Sequence, residues 1–181
     1  MTQTHSALGS SFTWNRPQRQ RVRRVADPTV GTDPVTGLIR GETFLQAADA
    51  LLTQATRTAR EVGLMSLFVD GTESADTDSL VGEHHNAFAA IGSALLDVRA
   101  QRDVVGRVGA REFSWMCVLS RGSELDGAVE SLRTTVDANL GAAAVDYRVG
   151  ATLAHGRRIG LDALIVEART QRDAPPTMTS C

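Results

Sequence analysis

The residues whose chemistry could matter fall into a few groups along the 181-residue chain. Five arginines, Arg16, Arg19, Arg21, Arg23 and Arg24, crowd the first thirty residues, and guanidinium groups in that density suit phosphates or an acidic partner. Asp70 closes an apolar run, and Glu73, Asp76 and Asp78 follow it in a polar stretch. Arg107-Val-Gly-Ala-Arg-Glu-Phe113 sets Arg111 beside Glu112 in a turn sequence. His84-His85 is a weak metal signal, because adjacent helical residues diverge by about 100° and no third ligand is evident. Ser114 has no histidine at a recognisable spacing, so a hydrolase triad is not supported, and Trp115 beside it reads as core. His155 reads as a structural or exposed residue near a strand end. All 19 basic residues are Arg, so Schiff-base and lysine general-base chemistry are excluded.

The elements that must position these groups show in the apolar periodicity. Phe44, Leu45, Ala48, Leu51, Leu52 and Ala55 predict a helix over 40–62 ended by Gly63. The continuous apolar run 64–70 predicts a strand buried on both faces, followed by a polar loop over 71–78. Phe88, Ile91, Leu95 and Leu96 mark a helix over 80–99. Residues 104–108 and 112–119 predict a hairpin through Gly109-Ala110-Arg111. A helix over 124–140, a strand over 145–154 and a helix over 161–169 complete the order α-β-α-β-β-α-β-α, a mixed sheet covered by helices. Residues 1–30 read as a flexible Arg-rich arm, either a basic arm for phosphates or an acidic partner or a solvated tail leading to a short helix near 19–26, residues 31–172 as the domain, and 173–181 as a disordered tail opened by Pro175-Pro176.

Composition narrows the class. With 42% hydrophobic and 22% charged residues the chain reads as an ordinary globular protein. A net charge of −2 argues against coating nucleic acid. Cys117 and Cys181 make no disulfide scaffold, and Cys117 reads as a small buried hydrophobe. No apolar run reaches membrane-span length and the N-terminus lacks a signal-peptide core, so the expectation is a cytoplasmic protein.

Three of these segments, in this order, resemble one family. Asp33-Pro-Val-Thr-Gly-Leu38, continuing to Phe44, is similar to the Asp-x-Leu-Thr-Gly-Leu-x-Asn-Arg-x-x-Phe signature of GGDEF domains, the diguanylate cyclases. Phe68-Val-Asp70 stands where that family ends a strand on its first metal-binding Asp, and Arg107 to Phe113 where it has Arg-x-Gly-Gly-Asp/Glu-Glu-Phe. The resemblance covers about 33–170 and implies an α/β (α+β) fold of the nucleotidyl-cyclase type, a mixed central sheet flanked by helices with a β-hairpin at the motif.

The resemblance also implies a chemistry. Such a domain binds GTP, pairs face to face with another and makes cyclic di-GMP using two divalent metals, held by the strand-end Asp and by an acid at the third hairpin position. Asp70 is kept, as the one candidate metal ligand, but the second position is Arg111. A cation about 4 Å from a metal costs about 4 kcal/mol per unit charge at an effective dielectric near 20. Two base-reading positions fall at Asp78, which retains acceptors for a guanine edge, and at Ala87, which does not. That alignment rests on Gly82, with Glu83 where the family has His. In the motif Gly109, Glu112 and Phe113 survive while Ala110 and Arg111 depart, and Gly109 alone is expected to close a type II′ turn. The product-inhibition pair is Asp103 with Ala100 in place of Arg, flanked by Arg99 and Arg102. Near Ala168-Arg169 the family's phosphate-contacting Lys has no counterpart.

The expected function is therefore a catalytically inactive GGDEF-like domain, degenerate in its motif, working as a regulatory or interaction module in cyclic di-GMP or nucleotide signalling. The alternatives are a nucleotide receptor without turnover, built on Asp70, Asp78 and Arg111, and a weakly active cyclase. No resident cofactor is expected, with Mg²⁺ only alongside a bound nucleotide. The expected partners are a protein or a second copy and secondarily a nucleotide; nucleic acid on the basic arm is disfavoured, and no membrane is expected.

Overall fold

The structure is a computed structural model that describes residues 31–70, 77–120, 122, 124–141, 143, 145–154 and 159–174, and of residues 77–84 the backbone alone. Among them the elements are β1 (Ile39–Arg40), α1 (Gly41–Arg57), β2 (Glu61–Val69), α2 (Thr77–Val98), β3 (Val104–Arg107), β4 (Glu112–Leu119), α3 (Glu124–Leu140), β5 (Tyr147–Ala154) and α4 (Leu161–Asp173). They form one sheet in the order β1-β3-β4-β2-β5. β1 runs parallel to β3 and every other pairing is antiparallel, so the sheet is mixed, as expected.

The period-two alternation sorts the side chains into two cores. On one face Met65, Leu67 and Val69 of β2 join Phe113, Trp115 and Cys117 of β4 beneath α2 and α3. On the other Val62, Leu64 and Met116 lie beneath Phe44, Ala48 and Leu52 of α1 and Leu161, Leu164 and Ala168 of α4. β2, flanked by β4 and β5, is covered on both faces, which is why it reads as a nearly continuous apolar run.

Several boundaries differ from expectation. Helix α1 stops at Arg57 rather than running to residue 62. Ala59 takes φ 51° and the Arg60 amide donates to the Ala55 carbonyl at 3.0 Å, so the chain reverses there. Gly63 is no helix stop: it lies in β2, where a Cβ would come within 2.5 Å of Leu125 Cδ1. Thr77 and Asp78 begin α2 rather than ending a loop, β5 starts at Tyr147, and α4 runs to Asp173, a residue assigned by sequence to the tail. The two-residue β1 was not foreseen, being too short to carry a periodicity.

Candidate functional site

The turn Asp33–Leu38 is a clasp. The Asp33 amide donates to the Leu38 carbonyl at 2.7 Å, Gly37 takes φ 69°, and Thr36 donates through its amide (3.0 Å) and hydroxyl (2.8 Å) to Asp33 Oδ2. Arg107, the last residue of β3, donates Nη1 to both oxygens of Asp33 at 3.3 and 3.2 Å, and Nη2 to the Ala110 carbonyl at 2.6 Å. Its guanidinium lies over the Phe88 ring, 4.6 Å from the centroid. The first motif is thereby tied to the hairpin, and helix α2 packs on the turn at Gly92, where a Cβ would stand 2.6 Å from the Thr36 carbonyl oxygen. Burial alone would raise the Asp33 carboxyl, but the hydrogen bonds from Thr36 and Arg107 outweigh it and hold the group below its ordinary value.

The hairpin closes with the Val108 and Gly109 amides donating to the Glu112 carbonyl at 2.9 and 3.1 Å. The expected type II′ turn is not what forms: neither Gly109 nor Ala110 has a positive φ, so the missing second glycine is no obstacle to closure. Arg111 lies at the exposed tip; its carbonyl accepts from the Val69 amide at 3.0 Å, and its guanidinium pairs with none of the described residues. The Val69–Arg111 bond sets Asp70 beside the hairpin.

Behind the hairpin the sheet surface changes from apolar to charged. Ser66 and Phe68 of β2, Glu112 of β4 and Arg148 of β5 share one face by register, beneath the last turns of α4. Gly150 lets α4 come that close: a Cβ there would collide with the Arg172 amide and the Ala168 carbonyl. Arg148 donates Nε and Nη2 to Asp70 at 2.9 and 2.8 Å, and Nη1 to Asp173 at 2.9 Å. Arg169 donates Nε and Nη2 to the two Glu112 oxygens at 2.7 and 2.8 Å. Arg172 reaches Glu112 Oε1 and Ser66 Oγ, both at 3.0 Å, and the Ser66 hydroxyl donates to Glu112 Oε1 at 3.1 Å. Phe68 lies under two guanidinium groups, with Arg172 5.0 Å and Arg148 5.5 Å from its centroid. Burial pushes the Glu112 carboxyl up, yet Arg169, Ser66 and Arg172 together hold it below the usual range.

These arginines were missed in the sequence. Near Ala168-Arg169, where the sequence offers no counterpart to the family's Lys, Arg169 and Arg172 stand over the site. The available signal was their spacing of three on α4, which puts both on the helix face that meets the strands.

The other expected positions separate. Asp103 accepts from the Ala100 amide at 2.8 Å and from Trp115 Nε1 at 3.0 Å, anchoring the loop before β3. Ala87 is buried in the core, as are Trp115 and Cys117, and His85 is exposed. The Asp78 side chain, the arm residues Arg16, Arg19, Arg21, Arg23 and Arg24, His155 and the tail from residue 175 lie outside the described residues.

The donor chemistry does not suit a pair of divalent cations. Both Asp70 oxygens and both Glu112 oxygens already accept from guanidinium groups, and the neighbouring tip position is itself an arginine. Among the described residues no three His, Cys, Asp or Glu side chains gather where they could hold a metal ion.

Comparison with known structures places this arrangement. No family model matches the sequence, and no curated protein resembles it. Solved structures do. The GGDEF domain of FimX from Pseudomonas aeruginosa superposes with a TM-score of 0.68 at 18% identity, over 79% of this chain and 91% of that one. The fold is that of GGDEF domains. The GGDEF structure of DgcB from Caulobacter crescentus in complex with c-di-GMP matches with a TM-score of 0.67 at 16% identity, over 79% of this chain and 78% of that one. The diguanylate cyclase SiaD from Pseudomonas aeruginosa, solved in complex with its activator SiaC, matches with a TM-score of 0.66 at 21% identity, over 77% of this chain and 55% of that one. Among the described residues no helix is long and apolar enough to cross a membrane.

Proposed function

We propose that this GGDEF-fold domain makes no cyclic di-GMP and works as a regulatory module that binds a protein, a GGDEF domain or another copy of itself, in cyclic di-GMP signalling. One observation carries the reading: the two retained carboxylates, Asp70 and Glu112, are neutralised by the chain's own arginines, Arg148 on the first and Arg169 and Arg172 on the second. Phosphoryl transfer between nucleotides needs cations that clamp both the attacking and the leaving oxygens. Here the carboxylates that would hold such cations are engaged, and the next position carries Arg111. SiaD, with the same fold, was solved bound to a protein activator, which supports a role through protein contact.

The test is incubation of the full chain with GTP and Mg²⁺ or Mn²⁺, with the product followed by chromatography. The expected result is no cyclic di-GMP, and none from R111E either, because Arg148 and Arg169 still hold the carboxylates. Appreciable turnover by the wild-type chain refutes the reading.

A second reading, a nucleotide receptor without turnover, is favoured by the exposed Arg111 guanidinium, which has no partner among the described residues and is shaped for bidentate phosphate contact. Calorimetry with GTP, ATP and cyclic di-GMP tests it: binding lost in R111E supports it, and no heat at millimolar ligand rejects it.

A further inference from the structure

A concavity opens on the α1/α4 side of the sheet, between the start of α1 and the middle of α4. It encloses about 310 Å³, at the lower end for small-molecule sites. Leu45 of α1, Val108 at the hairpin and Ile165 of α4 give it apolar walls, with Glu42 and Arg169 also lining it.

Its polar lining includes Ser114. That residue is only 4% exposed and faces the α1/α4 side by register, opposite Ser66 and Gly106. The Ser66 hydroxyl is committed to Glu112 and Arg172, whereas the Ser114 hydroxyl hydrogen-bonds none of the described residues. That hydroxyl opens on the cleft, where it is available to donate to a ligand's acceptor. Two further donors border the same space. Arg169 spends Nε and Nη2 on Glu112, leaving Nη1 uncommitted among the described residues on a side chain 44% exposed. Helix α1 starts at Gly41 with no side-chain cap on its first turn, so its leading amides are open to an acceptor.

Charge then selects the ligand. Three donors ask for a carboxylate, but Glu42 in the first turn of α1 opposes a simple anion. A ligand that also carries a cation satisfies both. We propose that this cleft binds a small zwitterion with an apolar side chain, of the class of the aliphatic α-amino acids. Its carboxylate is taken by Ser114 and Arg169, its ammonium by Glu42, and its side chain by Leu45, Val108 and Ile165. The site does not depend on a nucleotide or on the partner proposed above.

The probes are L-leucine, isovalerate (which lacks the ammonium) and isoamylamine (which lacks the carboxylate), titrated into the full chain by calorimetry and saturation-transfer NMR. L-Leucine is expected to bind, with each truncated analogue at least tenfold weaker. S114A is expected to weaken it about fivefold, the loss of one neutral hydrogen bond, and R169Q tenfold or more. Should R169Q fail to fold, L45Q, an exposed change, replaces it and is expected to weaken binding severalfold. No leucine binding at ~10 mM, equal binding of isovalerate, or leucine binding unchanged in both S114A and L45Q overturns the proposal.

Discussion

Replacing Glu112 by Gln tests whether the arginine network holds the sheet edge together. The carboxylate is 14% exposed and accepts from Arg169, Arg172 and Ser66. Arg172 is 9% exposed and Arg169 44%. At about 4 Å and an effective dielectric near 20, each charge pair attracts by about 4 kcal/mol before desolvation is subtracted. Breaking a fully buried pair costs about 3–5 kcal/mol, and an exposed one about 0–1 kcal/mol. Glu112 lies between, one partner buried and one wet, so E112Q is expected to cost about 2–3 kcal/mol. For a chain of this size that lowers Tm by roughly 5–10 °C. R169Q, whose guanidinium is half in water, is expected to cost under about 1 kcal/mol. Urea denaturation at pH 7 measures both. The pH dependence follows from the lowered folded-state pKa: the Glu112 contribution is complete above the unfolded value of 4.5 and is lost as pH falls through the folded value. The stability difference between wild type and E112Q should therefore be flat above about pH 5.5 and shrink below pH 4.5. An E112Q protein within about 0.5 kcal/mol of wild type at pH 7, or one less affected than R169Q, refutes this account.

Other perturbations follow from the same contacts. G150A puts a Cβ into the α4 backbone, which cannot yield as a side-chain end does; a loss of about 3 kcal/mol or more is expected in denaturant melts. D33A removes the acceptor of Arg107 and unties the first turn from the hairpin. It is expected to cost about 2–3 kcal/mol, with hydrogen exchange accelerated in residues 33–40 before the strand core. Burial drives the Cys117 thiol pKa up to about 12, so in a C181S background at pH 8 a thiol reagent should modify it only after the chain unfolds.

Much of the fold was legible because the apolar pattern is local and strong. The strands of the hairpin and helix α3 fall within a residue of their expected bounds, since turn chemistry and helical spacing agree there. The C-terminus of α1 was misread because Gly63 looked like a cap; its real constraint is Leu125, a residue far along the chain that no local pattern reveals. The site was legible only in half. Asp70, Arg111 and Glu112 could be read from their motif, but Arg148, Arg169 and Arg172 belong to no motif. They meet those carboxylates only because β5 pairs with β2 and Gly150 admits α4. Asp103 was read only as a position in a motif, and no local pattern would have revealed its hydrogen bonds with the Ala100 amide and Trp115 Nε1.

The proposed loss of chemistry without loss of fold has a physical basis in where Arg111 sits. The motif's structural duties fall on buried partners: Arg107 on Asp33, Phe113 in the core, and Gly106, where a Cβ would stand 2.8 Å from Phe44. The altered third position, by contrast, is at the exposed tip, where only its backbone carbonyl is used, by the Val69 amide. Any L-residue offers that carbonyl. R111D is therefore expected to change stability by less than about 0.5 kcal/mol, the range of surface substitutions away from packing, caps and buried pairs. The added carboxylate meets Asp70 and Glu112, but Arg148 and Arg169 already screen both. Thermal melts of R111D beside D33A decide the matter: a tip substitution as costly as the clasp substitution would make Arg111 a structural residue, and the separation of fold from chemistry argued from its exposure would fall.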